Sequence, residues 1–266
     1  MERNFKKSFW QLYARVYDNV MLCFLPYHQL LYTVTEKLNP QAGWHVLDAG
    51  CGTGNFLHHL LHYRPGVTAV GIDYADAMLH RAAVKINNNK DVGKDVVLQE
   101  TNLNYSIPFK EEEFQGVICV NVLYAVDNPV FLLKELSRVL QRGGRLVLVT
   151  PPFQPRIGPV FREHVLLLKE RKPFLWPFSL AGRILCLAPW LFIFLILNIF
   201  IKKQQSFHFF KREELLSLVK NCGFELVSLE KVYGGQDWFL EAVKPAAKVE
   251  TVESVYSPEG GVACLR

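Results

Sequence analysis

Three glycines at alternate positions, Gly50, Gly52 and Gly54, follow Asp48 in the run VLDAGCGTGNF, and nineteen residues beyond Gly54 a second acid, Asp73, closes the run GID. Glycine backbones adopt turns that a Cβ obstructs, and they let a ligand lie against bare main chain. A carboxylate at the end of the next strand can accept both hydrogen bonds of a ribose diol, which is the chemistry Asp73 offers. Asp48 ahead of the loop suits a ligand carrying an amine or a sulfonium and would repel a pyrophosphate. Asn55 stands where a dinucleotide loop has its last glycine. Together these positions argue against a nicotinamide-dependent oxidoreductase.

Such a loop works only at the carboxyl edge of a sheet, and the rest of the chain supplies one. Short β-branched runs alternate with helical patterns, the signature of βαβ units around a parallel sheet. The runs are Trp44 to Asp48, Val67 to Asp73, Val96 to Glu100, Gly116 to Asn121 and Arg145 to Thr150. Leu132, Leu136 and Val139 have helical spacing; Asn128-Pro129 should open that helix and Gly143-Gly144 should end it. After Thr150 the alternation lapses for about fifty residues. It resumes with a helix over Lys211 to Cys222, stopped by Gly223, and then a hairpin of Glu225 to Lys231 and Asp237 to Val243 about the turn Gly234-Gly235. Residues 245–266 lack periodicity and read as a disordered tail.

Half of the 266 residues are hydrophobic and 21% are charged, enough to bury a core and too apolar for a disordered chain. A net charge of +5, scattered along the chain, excludes a nucleic-acid binder as the primary reading. The six cysteines form no CxxC pair and no zinc-like cluster, and no metal site is expected from them or from His58, His59 and His62. The N-terminal segment has no apolar signal core, so a cytoplasmic location is expected.

Taken in order, VLDAGCGTGNF, GIDYADAML, TNLNYSIPFKEEEFQGVICVNVLYAV, PVFLLKELSRVLQRGGRLVLVTPP and FHFFKREELLSLVKNCGFELV resemble the class I S-adenosylmethionine-dependent methyltransferases over roughly residues 40–150 and 205–244. The resemblance implies an α/β, doubly wound, seven-stranded and mostly parallel Rossmann-like sheet with a terminal antiparallel hairpin. It implies S-adenosyl-L-methionine as cofactor. Asp48, Gly50, Cys51, Gly52 and Gly54 match the loop for its methionine part, and Asp73 the ribose acid. Tyr74 and Met78 match positions over the adenine. Asn102 and Leu103 match its amino group and ring contacts, and Asn121 and Val122 the border of the methyl-transfer site. Asn102 and Gln115 depart from the family's usual Asp. The N-terminal helix is similar to that of the ubiquinone and menaquinone methyltransferases, in which a Tyr covers the cofactor; Tyr17, and secondarily Tyr13, match it. Residues 1–39 would then be a helical lid on a methyltransferase domain of residues 40–150 and 205–244, with 151–204 inserted.

Ile184 to Ile201 contains 18 residues without a charge, flanked by Arg183 and Lys202-Lys203. Topology argues against a single span, because the chain must return to the same sheet on both sides of it. Two readings remain. One is a re-entrant or in-plane membrane contact through residues 174–203, with Arg171, Lys172, Arg183, Lys202 and Lys203 set for anionic headgroups and Phe194 among the membrane-facing residues. The other is an apolar cap over the active site. Either implies a hydrophobic, lipid-like acceptor. A base is needed only for a hydroxyl, ammonium or carbon acid, and the candidates are Tyr124 and His208, with His164, Glu163 and Asp127 behind them. The alternatives are a small-molecule methyltransferase with a lid and a non-catalytic membrane-associated protein that keeps the fold.

Overall fold

The computed structural model describes residues 2–88, 95–203 and 207–246. Two helices, α1 (Glu2–Met21) and α2 (Leu25–Leu38), precede the alternating core of β1 (His45–Ala49), α3 (Asn55–Tyr63), β2 (Thr68–Asp73), α4 (Asp76–Asn87) and β3 (Val96–Glu100). Next come β4 (Phe114–Val120), α5 (Pro129–Val139), β5 (Leu140–Thr150), α6 (Gly158–Arg171) and α7 (Trp176–Lys203). The chain closes with α8 (Arg212–Asn221), β6 (Glu225–Val232) and β7 (Asp237–Val243).

The seven strands form one sheet in the order β3-β2-β1-β4-β5-β7-β6. The first five are parallel, and β7 runs antiparallel to both β5 and β6. Central strands covered on both faces read as apolar runs, which is why VICV of β4 and LVLV of β5 are buried throughout. Leu47, Val117, Ile118 and Leu148 are fully enclosed, each contributing about 2 kcal/mol of burial. The order reverses at β1 and β4, and a crevice opens there at the carboxyl ends.

α5 begins as its residues require: Asn128 accepts from the Phe131 amide at 3.0 Å, and Pro129 takes the first helical position. Its end differs from the sequence expectation. The helix stops at Val139, and Gly143-Gly144 lie inside β5, opposite a register shift between Phe114 and Gly116. Gly143 takes φ +76° and donates to the Lys244 carbonyl at 2.7 Å, so the glycine pair serves a bulged strand rather than a helix stop. Gly223 does end α8, at φ +89°.

The inserted apolar segment folds as α6 and α7. α7 bends by 67° between Trp176–Arg183 and Leu187–Ile201. Pro189 lies just beyond the bend; it has no amide for the Leu185 carbonyl and crowds it, which turns the helix there. Among the described residues no single helix is long and apolar enough to cross a membrane. The expected tail lies outside the described residues from 247 onward.

Candidate active site

β1 ends in Ala49, and the chain turns through Gly50 at φ +84°, Gly52 at φ +54° and Gly54 at φ +74°. Gly50 is required by space as well: a Cβ there would stand 2.2 Å from a Val122 methyl. Gly52 faces open space, with nothing nearer than the Met78 sulfur at 4.0 Å. Gly54 differs from the expectation that it contacts the ligand. Its missing Cβ lets the start of α3 pack on Ala82 of α4, where a methyl would meet Ala82 at 2.9 Å.

Around this loop lies a cavity of about 300 Å³. Tyr17, Gly50, Cys51, Gly52, Asp73, Tyr74, Met78, Asn102, Leu103, Asn121 and Val122 all line it. Asp73 accepts from the Gly52 amide at 2.9 Å and from the Ala75 amide at 2.9 Å, so its carboxylate stands at the loop with further lone pairs available. Burial pushes its pKa up, against the pull of those amides. Asp48 does not line the cavity. It sits beneath the loop, 1% exposed, with one carboxylate oxygen that has no hydrogen-bond partner. Burial, reinforced by the Asp73 charge, raises its pKa to about 8. An orphaned buried oxygen next to a bare glycine cradle fits a cationic ligand that would restore both acids to the charged state. Asn102 directs its side-chain oxygen to the Asn104 amide at 3.0 Å, one lone pair remaining for an adenine amine.

A feature that sequence reasoning missed locks this loop. Asp18 of α1 accepts from the Thr53 hydroxyl at 2.6 Å and the Asn55 amide at 2.9 Å, and pairs with Lys85 of α4 at 3.0 Å. The Lys85 ammonium also reaches the Thr53 carbonyl at 2.9 Å and the Asn55 side-chain oxygen. Asn55 is therefore a loop-holding residue, and its amide continues to the Tyr27 hydroxyl at 3.1 Å. The only sequence signal was that Asn55 replaced a glycine. Tyr17 donates to Tyr27 at 3.4 Å and lies along the cavity wall beside Tyr13.

The far end of the cavity is apolar. Leu191, Phe194, Leu195 and Ile201 of α7 roof it, with Phe194 5.4 Å from the Tyr13 ring and Asn198 donating to the Tyr13 hydroxyl at 3.3 Å. Phe194 thus faces inward, contrary to the expectation of a membrane-facing residue. Tyr124 enters the lining, stacked on Phe209 at 5.7 Å; burial raises its phenol pKa well above the ordinary value, which keeps it neutral. His208 lies outside the lining and meets the site only through its amide, which donates to the Tyr124 carbonyl. His164 accepts from the Leu25 amide at 3.1 Å, and burial lowers its pKa to about 4: it caps α2. Gln115 accepts from the His45 amide at 2.6 Å at the opposite edge of the sheet, so its departure from the family pattern does not touch the cavity. His59 pairs with Thr35 at 2.9 Å, and among the described residues no group of three or more His, Cys, Asp or Glu side chains could hold a metal ion.

Residues 47–148 match the family described as methyltransferase domain. A demethylmenaquinone methyltransferase of Tropheryma whipplei (strain Twist) is 26% identical over 226 residues, 84% of each chain. That of Staphylococcus saprophyticus is 28% identical over 208 residues, 76% of this chain and 79% of the relative. Among solved structures, a SAM-dependent methyltransferase from Aquifex aeolicus superposes with TM-score 0.56 at 17% identity, covering 85% of this chain and 93% of that one. The magnesium protoporphyrin IX methyltransferase of Synechocystis PCC 6803 with bound SAH gives 0.56 at 18% identity, covering 83% and 84%. The glycine cradle, the acid beside it and these likenesses together support a class I S-adenosylmethionine-dependent methyltransferase, with S-adenosylmethionine as its cofactor.

Proposed function

We propose that this enzyme methylates a hydrophobic, lipid-like acceptor, of the kind represented by demethylmenaquinone, from the cytoplasmic face of a membrane. The observation that carries this reading is the two-sidedness of α7. One side roofs the cavity with Phe194, Leu195 and Ile201; the other leaves Phe178 77%, Leu185 79% and Phe192 66% exposed, next to Phe174 at 89%. Large apolar side chains exposed together along one helix suit a contact with a membrane or a partner. Lys169, Arg171 and Lys172 at its foot are exposed and suit anionic headgroups. Arg183 is engaged instead, donating to the Cys23 carbonyl at 2.6 Å. The names of the demethylmenaquinone methyltransferase relatives support an isoprenoid quinol as the acceptor class.

When bound, S-adenosylmethionine supplies an electrophilic methyl whose leaving group is a neutral thioether, so little covalent chemistry is asked of the protein. The glycine loop, held by Asp18 and Lys85, fixes the cofactor's position. Val122 and Asn121 border the point of transfer. The roof of α7 and the aromatic wall of Tyr13, Tyr17 and Phe209 exclude water and align a flat, apolar acceptor.

The test is flotation with vesicles of phosphatidylcholine and phosphatidylglycerol, coupled to methyl transfer onto reduced short-chain demethylmenaquinone carried in them. Wild type is expected to float and to methylate. Replacing Phe178, Leu185 and Phe192 together by Asp should release it from vesicles without altering affinity for S-adenosylhomocysteine. Wild-type protein that stays in solution while methylating a water-soluble acceptor would overturn the membrane reading and leave α7 as a cap.

A further inference from the structure

We propose that Asp237, which lines the cavity beside Asn121, is the proton acceptor for the methyl acceptor. The proposal rests on the reading of a hydrophobic acceptor with an ionisable hydroxyl or carbon acid. Three carboxyl groups line the cavity among the described residues: Asp73 is committed to the loop, Asp127 is exposed at the rim, and Asp237 is 6% exposed. No histidine lines it.

The sheet brings Asp237 to the reacting end. β7 runs antiparallel to β5 with Trp238 opposite Thr150, so Asp237, its first residue, stands at the carboxyl edge that carries the glycine loop. Asn121 is the first residue after β4. Its backbone N–H donates to the Val149 carbonyl at 2.8 Å, its backbone is held at φ +56°, and its side chain lies near enough to Asp237 to favour the charged carboxylate. A left-handed asparagine at this position is backbone strain that the fold retains at a cavity wall. The Asn121 side-chain oxygen is buried without a partner, as is the Thr150 hydroxyl at the end of β5. Next in the chain, Val122 is the side chain that Gly50 makes room for. One two-residue step therefore joins the cofactor loop to the Asp237 carboxyl, and the unfilled oxygen of Asn121 can take a hydrogen bond from an incoming hydroxyl.

Four groups act on Asp237. The Lys231 ammonium of β6, placed over the Trp238 ring at 3.4 Å, and the Asn121 amide lower its pKa; Tyr233 of the hairpin turn and Tyr124 are phenols that burial keeps neutral. Burial dominates, and brings the carboxyl to about 7. That suits a base working near neutrality. In the step, the acceptor's O–H or C–H proton passes to an Asp237 oxygen. The acceptor's electron pair forms the new bond to the methyl carbon, and the pair of the broken carbon–sulfur bond stays on sulfur as a neutral thioether.

The experiment compares wild type, Asp237→Asn and Asp237→Glu. It reads methylation of reduced short-chain demethylmenaquinone over about pH 6 to 9, calorimetric binding of S-adenosylhomocysteine, and an infrared pH titration of protein carboxyl bands. Asp237→Asn is expected to lose about 10²-fold or more in kcat, with the acid limb of the profile abolished and affinity for S-adenosylhomocysteine unchanged. Asp237→Glu should restore part of the rate and the limb. A carboxyl band titrating near neutrality should be present in wild type and missing in Asp237→Asn. Retention of kcat and of the acid limb in Asp237→Asn would overturn the proposal, as would a wild-type infrared titration without that band. If wild type fails to methylate the quinol, the acceptor reading falls, and the infrared comparison alone decides Asp237.

Discussion

Asp18 of the first helix and Lys85 of the fourth meet at 3.0 Å above the glycine loop, so two elements 67 residues apart in the chain hold one ligand-binding turn from opposite sides. Both side chains are mostly buried, 15% and 22% exposed, and each also binds Thr53 and Asn55 of the loop. Burial lowers the pKa of Lys85 while Asp18 raises it, the balance expected of a cation whose charge depends on its partner.

Breaking this clamp should loosen the cofactor before it unfolds the protein. Asp18→Asn and Lys85→Met are each expected to weaken S-adenosylhomocysteine binding about tenfold, with a coupling of roughly 1–2 kcal/mol in the double-mutant cycle. Calorimetric titration of the four proteins measures this; additive effects would mean the pair does not act as a unit.

The two central glycines should respond differently. Gly50→Ala drives a methyl into Val122 and should destabilise the fold by about 1–3 kcal/mol, seen in denaturant unfolding. Gly52→Ala meets nothing nearer than 4.0 Å and should stay folded at a cost of about 1 kcal/mol for its positive φ, while placing a methyl in the ligand's cradle. Binding of S-adenosylhomocysteine by Gly52→Ala should fall far more than its melting temperature does.

The buried Asp48 gives the apo protein a pH dependence of definite sign. Its native pKa of about 8 lies above the ordinary 3.8, so the native state keeps a proton that the unfolded chain releases. The stabilisation is complete below the unfolded value and is lost as pH rises through the native one. Melting temperatures of Asp48→Asn and wild type should converge near about pH 4 and diverge toward about pH 8, the variant becoming the more stable of the two. Parallel curves would show that Asp48 is already ionised in the folded protein.

Much of the site was legible because local rules set it. Glycines at alternate positions after a strand-ending acid, and a second acid one βα unit later, define a turn and the carboxylate that accepts from its Gly52 amide. The parallel sheet and terminal hairpin followed from residue periodicity. What sequence reasoning misplaced depended on packing. Gly143-Gly144 looked like a helix stop because the sequence does not reveal that β5 begins at Leu140 and is bulged against β4. Gly54 was grouped with its neighbours, yet it answers to Ala82 of α4. His208 reads from the sequence as a candidate base, whereas its side chain lies outside the cavity lining and its backbone amide donates to the Tyr124 carbonyl.

The sequence by itself determined the sheet, the glycine loop and the likeness to a methyltransferase domain, since these are encoded in short-range patterns of glycine, charge and β-branched residues. The tertiary structure decided which groups share a cavity. It brought Asp18 to Lys85, turned Phe194 inward while leaving Phe178 and Leu185 exposed, and set Asp237 beside Asn121. Those relationships join residues separated by tens to more than a hundred positions. They exist only when strands align in one order and helices pack on their faces, because burial, and with it the chemistry of a carboxyl group, is a property of what surrounds a residue in space.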